Sequence, residues 1–223
     1  MTHLQEKLSE LRADLVEMAD LVARQLDKSV HALLDGDEDL ANEVIFNEKR
    51  VNAFELKIDS DCEQIFTLLA PFAQDMRFVF STVKINADLE RIGDYAEGIA
   101  KLVLLGKKDF DPSLIETIHV REMFDAAMGM LQDVTTAYAE DDSRLARTLF
   151  ARDEQLNEIN RNVAEWVGDY VKQNLGKIRQ ALLLLSIIRK LERVGDHIKN
   201  IAEDVIFYKE AKVLKHIDKK DPS

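Results

Sequence analysis

Apolar residues recur at spacings of three and four along most of the chain, and no stretch alternates with a period of two. This pattern is typical of amphipathic α-helices and not of strands. Turn-forming residues interrupt it at residues 35–37, Pro71, 106–112, 140–143 and 174–176. The polar tail from Lys212 onward is expected to fray. The pattern therefore predicts an all-α fold of six long helices, at about residues 3–34, 38–69, 73–105, 113–139, 144–173 and 177–209.

One segment of the third predicted helix is repeated in the sixth. Residues 89–100 read LERIGDYAEGIA, and residues 191–202, which lie 102 positions later, read LERVGDHIKNIA. The similarity extends upstream, where Glu48 and Asn52 align with Asp153 and Asn157. Because the loops between the helices are short, neighbouring helices are expected to be antiparallel. The sequence therefore predicts two tandem antiparallel three-helix bundles.

Both copies of the repeat carry two carboxylates four residues apart. These are Glu90 with Asp94, and Glu192 with Asp196. On a helix this spacing places both acids on one face, where like charges are destabilising by about 0.2–0.5 kcal/mol. The same unfavourable pair at the same register in both copies suggests that the acids have a function.

The second and fifth predicted helices carry polar residues within their apolar stripes. Glu48 and Glu55 interrupt the stripe of the second helix, and Asp153 and Asn160 interrupt the fifth at the equivalent places. A carboxylate that faces a core is costly unless it is paired, hydrogen-bonded or bound to a metal. Each bundle is thus expected to gather an oxygen-rich, negatively charged set of side chains from two helices.

These sets are the candidate metal ligands. In the first bundle they are Glu48, Asn52, Glu90 and Asp94, and in the second they are Asp153, Asn157, Glu192 and Asp196. Mg, Ca and Mn prefer carboxylate and carbonyl oxygen, and Fe accepts it. The alternative is a salt-bridged surface on which Arg50, Arg91 and Arg193 neutralise the acids.

The overall charge narrows the class of partner. A formal net charge of −12 argues against binding to nucleic acid and against adhesion to an anionic membrane surface. It favours a cationic ligand or a partner with a basic surface. The single cysteine, Cys62, excludes an intramolecular disulfide and falls on an apolar stripe, so we expect it to be buried. No signal peptide is evident, and the longest apolar run, at 181–188, is too short to span a membrane. These features predict a soluble, cytoplasmic protein.

The order of these motifs resembles the PhoU family. The resemblance lies in Glu-x-x-x-Asn at 48–52, PFAQDMR at 71–77, DLERIGDYAEGIA at 88–100 and LERVGDHIKNIAED at 191–204, and it extends over about residues 4–210. It implies two PhoU repeats, at 1–106 and 112–212, in a cytoplasmic protein without enzymatic activity.

The resemblance also implies a role and partners. PhoU proteins are negative regulators of the bacterial phosphate-starvation response, thought to join the ATPase of the phosphate ABC transporter to a sensor histidine kinase. They are commonly homodimers, and some bind clusters of Fe, Zn or other metals such as Mg or Mn. The matching acid motifs here are Glu90 with Asp94 and Glu192 with Asp196. Asn52 and Asn157 replace the second acid of the other motifs, and an amide oxygen is an uncharged ligand.

Two other functions are compatible with long acidic helices. A metal-independent helical scaffold, or an adaptor for a related transporter, needs no cation. A di-iron carboxylate enzyme requires a pair of Glu-x-x-His motifs, which the five histidines do not provide. We find no recognisable catalytic triad or Gly-rich phosphate loop.

Overall fold

The computed structural model describes residues 2–107 and 110–214. Within these ranges the chain is helical, without a β-strand. Lys108 and Asp109 of the predicted linker, and the tail beyond residue 214, lie outside the described residues. The helices are α1 (His3–Asp35), α2 (Glu38–Leu68), α3 (Gln74–Gly106), α4 (Pro112–Thr117), α5 (Val120–Ala139), α6 (Ser143–Gln173) and α7 (Ile178–Glu210), with a 3₁₀ turn at Leu175–Lys177 before α7. The all-α prediction is confirmed, with α4 as an additional short helix.

Side-chain caps mark the starts of α1, α2, α4 and α6. Thr2 and Gln5 form a capping box at the start of α1, and Asp37 caps α2 by accepting a hydrogen bond from the Leu40 amide at 2.9 Å. Between these helices Gly36 has a φ of 64°, a left-handed conformation that glycine adopts without strain. Asp142 caps α6 in the same way as Asp37 caps α2. The sequence predicts these ends well because the caps are local.

The predicted fourth helix, at 113–139, is divided in the structure. The chain leaves the helix after Thr117, and His119 has a φ of 56° before α5 begins at Val120. Apolar residues on both sides of the break are buried, including Ile118. Because the apolar spacing continues through the break, the sequence pattern does not predict that the helix is interrupted there. The start of α4 is held by Asp111, which accepts a hydrogen bond from the Tyr170 hydroxyl of α6 at 2.7 Å.

The helices form the two predicted bundles. In the first, α1, α2 and α3 pack against one another, and in the second α5, α6 and α7 do the same. The apolar stripes of α3 and α7, whose residues recur at spacings of three and four, are buried from Phe78 to Val103 and from Leu184 to Val205. Cys62 is buried as expected, and burial raises the pKa of its thiol to about 12. None of the described helices is long and apolar enough to cross a membrane.

The two bundles pack together mainly through α3 and α7, with a smaller contact between α1 and α5. Lys84 of α3 contacts Asp204 of α7 at 2.8 Å, and the carbonyl of Leu105 accepts a hydrogen bond from Arg179 at 3.2 Å. Residues near the start of α3 thus contact residues near the end of α7, and the reverse holds at the other end, so the two helices are antiparallel. Repeat-equivalent positions therefore face each other near the middle, where the rings of Tyr95 and His197 lie 5.7 Å apart.

An aromatic cluster also joins the bundles. Phe78 of α3 stacks on Tyr138 of α5 at a centroid distance of 5.8 Å, and Tyr208 of α7 packs edge-on against both rings. The Tyr138 hydroxyl lies 3.0 Å from the Thr82 hydroxyl, so this buried polar group is satisfied. The guanidinium of Arg12 from α1 lies over the Phe78 ring and pairs with Asp141 at 2.8 Å. The contact therefore includes α1, α3, α5 and α7.

Candidate cation-binding clusters

In the first bundle α2 presents the Glu48 carboxylate to α3. Only 6% of Glu48 is exposed, and its carboxylate lies against Gly93. A Cβ added at Gly93 would be 3.4 Å and 3.5 Å from its two oxygens. The absence of a side chain at residue 93 therefore makes room for Glu48. Within the described part of the chain, neither carboxylate oxygen has a hydrogen-bond partner, which is an unusual state for a buried acid.

The acids of α3 surround this carboxylate. Burial raises the pKa of Glu48 to about 7, and the negative charge of Asp94 is the next largest cause. Glu97 and Glu90 act in the same direction, against a smaller opposing effect of Lys101. Burial, followed by the charge of Asp94, also raises the pKa of Glu90. We refer to Glu48, Glu90, Asp94 and Glu97 as the first acidic cluster.

Basic residues neutralise part of its outer side. Arg91 lies 3.5 Å from Glu90 and 3.0 Å from Asp94, and Lys101 lies 2.6 Å from Glu97. Both basic side chains are largely exposed, so these contacts are surface pairs of modest energy. Asn52, which we expected in the cluster, is exposed on α2, and no hydrogen bond joins it to the acids among the described residues. Salt bridges of the kind expected from the alternative therefore form on the outer side of the cluster, with Arg91 and Lys101. No basic group among the described residues forms a hydrogen bond with Glu48.

In the second bundle Asp153 of α6 takes the place of Glu48. It is 4% exposed, and a Cβ added at Gly195 would lie 3.3 Å from its Oδ1. Its Oδ2 accepts hydrogen bonds from the Asn157 amide at 3.1 Å and from the Lys199 ammonium at 2.8 Å. Lys199 also lies 3.1 Å from Oδ1 of Asp196. We refer to Asp153, Asn157, Glu192 and Asp196 as the second acidic cluster.

The electrostatics of this cluster are different. Burial lowers the pKa of Lys199, but its hydrogen bonds to Asp153 and Asp196 outweigh this effect and the pKa lies above its ordinary value. Burial, followed by the charge of Asp196, raises the pKa of Glu192. A charged ammonium group therefore lies among these acids.

The structure brings together most of the predicted side chains. Glu48 faces the acids of α3, and Asp153 with Asn157 faces those of α7. Glu97 and Lys199 were missed, although they occupy the same position of the aligned repeat and could be read from it. In the described ranges no three His, Cys, Asp or Glu side chains are arranged so that they could hold a metal ion. The metal assignment of the eight residues thus remains a prediction, and a bound ion would require carboxylates to turn toward one another.

An exposed apolar face was also missed. Phe72 lies two residues before α3, Met76 and Phe80 lie in its first two turns, and all three are exposed, Phe72 by 84%. Leu68 precedes them and is exposed too. We refer to these four residues as the apolar end face. Ile178 and Leu182, which align with Met76 and Phe80 in the second repeat, are exposed as well, and so is the nearby Leu175. Exposed apolar residues grouped in this way are typical of protein-interaction sites.

Comparison with known families gives a match in each half of the chain. The family model described as the PhoU domain matches residues 15–103 and 120–205. Two curated relatives illustrate the level of similarity. The phosphate-specific transport system accessory protein PhoU homolog of Pseudomonas putida is 31% identical over 212 residues, which is 95% of this chain and 82% of that protein. The PhoU accessory protein of Escherichia coli K12 is 29% identical over 95% of this chain and 87% of its own length.

Solved structures agree with this similarity. The crystal structure of PhoU from Pseudomonas aeruginosa superposes with a TM-score of 0.89 at 30% identity, over 94% of this chain and all of that one. The phosphate transport system regulatory protein PhoU from Streptococcus pneumoniae superposes with a TM-score of 0.87 at 27% identity, over 95% of this chain and 99% of that one. The similarity in fold therefore includes both bundles and their packing.

Proposed function

The chain belongs to the PhoU family, and from that premise we propose that it is a regulator of phosphate uptake that acts by binding and not by catalysis. In this role it represses the phosphate-starvation response by coupling the phosphate ABC transporter to a sensor histidine kinase. The observation that carries the proposal is the similarity through both halves to proteins named phosphate-specific transport system accessory proteins.

The charge of the molecule supports binding to proteins with basic surfaces. The chain has 42 acidic and 30 basic residues, apart from histidine. We propose that the transporter ATPase and the kinase are the partners, and that the protein acts as a homodimer in the cytoplasm. Complementary charge increases the rate at which such partners associate and depends on salt.

The apolar end face is the surface on which we place the contact with the transporter ATPase. Burying exposed Phe and Met side chains provides the non-directional part of the binding energy. A Phe72→Ser/Met76→Ser variant should therefore lose capture of the ATPase in a pull-down while keeping its helical content. Leu56→Ser is a matched control, because Leu56 is also exposed, by 70%, and lies elsewhere on α2. If both variants captured the same amount of ATPase, the apolar end face would not be the contact surface.

We further propose that an acidic cluster holds a cation. The first bundle is the stronger candidate, because both buried oxygens of Glu48 lack a hydrogen-bond partner among the described residues, whereas one oxygen of Asp153 is bonded to Asn157 and Lys199. Glu48, Glu90 and Asp94 would hold the ion, with oxygen donors suited to Mg or Mn and acceptable to Fe or Zn. When bound, the ion supplies positive charge that neutralises these carboxylates. Glu48 on α2 and the two acids on α3 would then be linked through it.

A metal-independent scaffold, or an adaptor for a related transporter, is the second candidate. The observation that favours it is the pairing of acids with Arg91, Lys101 and Lys199 of the protein itself. A catalytic di-iron site is disfavoured by the arrangement of the histidines. The Glu-x-x-His spacing from Glu116 to His119 falls at the break between α4 and α5, where His119 contacts Glu122 at 3.1 Å.

The test is deletion of the gene in its host, with a phosphate-starvation reporter measured at high phosphate. We expect the reporter to be switched on by deletion and repressed again by the wild-type gene. Complementation with Glu48→Gln separates the two candidates, because only the cation-dependent protein should fail to repress. A reporter that stays repressed after deletion would contradict the phosphate role. Pull-down of the tagged protein at high phosphate should recover the transporter ATPase and the kinase.

A further inference from the structure

One position of the repeat carries side chains of opposite charge in the two halves of the chain. When residues 89–100 are aligned with 191–202, Glu97 of α3 corresponds to Lys199 of α7. Both residues are half-buried and lie beside the core-facing acid that comes from the neighbouring helix. One acidic cluster therefore has a carboxylate where the other has an ammonium group.

In the second acidic cluster the ammonium group binds one oxygen of the buried acid, Oδ2 of Asp153, while Oδ1 has no hydrogen-bond partner among the described residues. Lys199 Nζ lies 2.8 Å from Oδ2 of Asp153 and 3.1 Å from Oδ1 of Asp196, so it joins the acid of α6 to that of α7. These are distances of charge-assisted hydrogen bonds. The Asn157 amide donates to the same Asp153 oxygen at 3.1 Å. A divalent ion at this place would have to displace the lysine.

In the first acidic cluster no such group reaches the buried acid. Both oxygens of Glu48 are buried and without a hydrogen-bond partner in the described part of the chain. The nearby Lys101 pairs with the outer side of Glu97, at 2.6 Å, and Arg91 pairs with Asp94. A buried carboxylate without a partner is costly. A cation between the acids of α2 and α3 would remove that cost.

We propose that Lys199 is a built-in cation that replaces a metal ion in the second acidic cluster, so that divalent cations bind only at the first cluster, with Glu97 as an additional ligand. This inference rests on the cation-binding part of the proposed function. The two clusters then differ in how they are stabilised. Lys199 always neutralises the second cluster, whereas the first cluster is neutralised only when a divalent cation is bound.

The experiment uses the full chain, freed of metal with a chelator and dialysed against Mn²⁺ alone. Bound manganese is measured by mass spectrometry, and the shift of the thermal midpoint is the second readout. We expect Glu48→Gln to lose most of the bound Mn²⁺ and the shift, and Asp153→Asn to keep both. Lys199→Glu should raise bound Mn²⁺ about twofold, because it gives the second cluster the carboxylate of the first. Adding Asp153→Asn to that variant should remove the gain.

Lys172→Glu is the matched control, since it makes the same charge change at an exposed surface pair and should leave bound Mn²⁺ at the wild-type level.

Should Lys199→Glu lose its helical circular dichroism, Lys199→Gln replaces it and is also expected to gain Mn²⁺. A folded Lys199 variant with no gain in bound Mn²⁺ would overturn the inference while leaving Mn²⁺ binding at the first cluster intact. An Asp153→Asn single variant that binds less Mn²⁺ than the wild type would overturn it too. Wild-type protein that binds no Mn²⁺ would overturn both the inference and cation binding, whereas the phosphate role is judged separately by the reporter.

Discussion

Nδ1 of His197 on α7 lies 2.7 Å from Oδ1 of Asp88 on α3, in the middle of the contact between the two bundles. Asn200 also approaches the same carboxylate oxygen, at 3.3 Å. Both partners of the His197–Asp88 pair are largely buried. The two repeats are therefore joined by a specific polar contact in addition to apolar packing.

The first prediction concerns this contact. Asp88→Ala removes the carboxylate and leaves His197 and Asn200 without their acceptor, so we expect the free energy of unfolding to fall by about 1–3 kcal/mol. Urea unfolding followed by circular dichroism measures it. Arg161→Ala breaks an exposed pair with Glu154 and should cost no more than about 0.5 kcal/mol. Equal losses in the two variants would show that the Asp88 contact contributes nothing specific.

The second prediction concerns Glu48 and pH. Its pKa is raised from 4.5 to about 7 in the folded protein, so the folded state takes up a proton as pH falls through this range. The resulting stabilisation is fully present below about pH 4.5 and is lost as pH rises through about 7. In chelator, Glu48→Gln should gain about 1–3 kcal/mol relative to wild type between about pH 5 and pH 8.

Urea unfolding at these two pH values measures the effect of Glu48→Gln. The exposed Glu63 on the same helix supplies the control, since Glu63→Gln should show no such pH-dependent gain. The interpretation of Glu48 as a buried, unpaired acid would be wrong if both variants followed the pH dependence of the wild type.

The third prediction concerns the glycine beneath the second acidic cluster. A Cβ at Gly195 would lie 2.9 Å from Cδ2 of the buried Leu156 and 3.3 Å from Oδ1 of Asp153. We expect Gly195→Ala to lower the free energy of unfolding by about 1–2 kcal/mol. Gly168→Ala in α6 meets no atom within 4 Å and should instead stabilise by about 0.5–1 kcal/mol. Thermal unfolding of both variants measures these opposite signs, and a stabilising Gly195→Ala would contradict the close packing of α6 on α7.

The fourth prediction concerns the pair between Lys199 and Asp153. Lys199→Met leaves the buried carboxylate with only the Asn157 amide as donor, and should cost about 2–4 kcal/mol. Adding Asp153→Leu removes the uncompensated charge and should recover at least half of the loss. A double-mutant cycle by urea unfolding gives the coupling between the two sites. Purely additive effects would mean that the lysine and the acid do not stabilise each other.

Much of the fold and part of the site follow from the sequence. The apolar periods of α3 and α7 identified the buried faces, and the duplicated acids identified Glu90, Asp94, Glu192 and Asp196. Glu48 and Asp153 were identified as core-facing acids because they interrupt an apolar stripe, and the structure places both beside a glycine of the repeat. Asn52 was expected beside the acids but is exposed, whereas Asn157, at the same spacing from Asp153, bonds to it, so the spacing along the helix does not decide this contact.

The sequence by itself determined the features that depend on neighbouring residues. Helix ends follow from caps such as Asp37 and Asp142, and buried faces follow from a period of 3.6 residues. The tertiary structure decided the antiparallel contact of α3 with α7, the break at His119 and the ammonium group of Lys199 between Asp153 and Asp196. Local patterns fix which way a side chain leaves its own helix. Which groups it meets depends on how the helices rotate and cross, and that is set by packing the whole core at once.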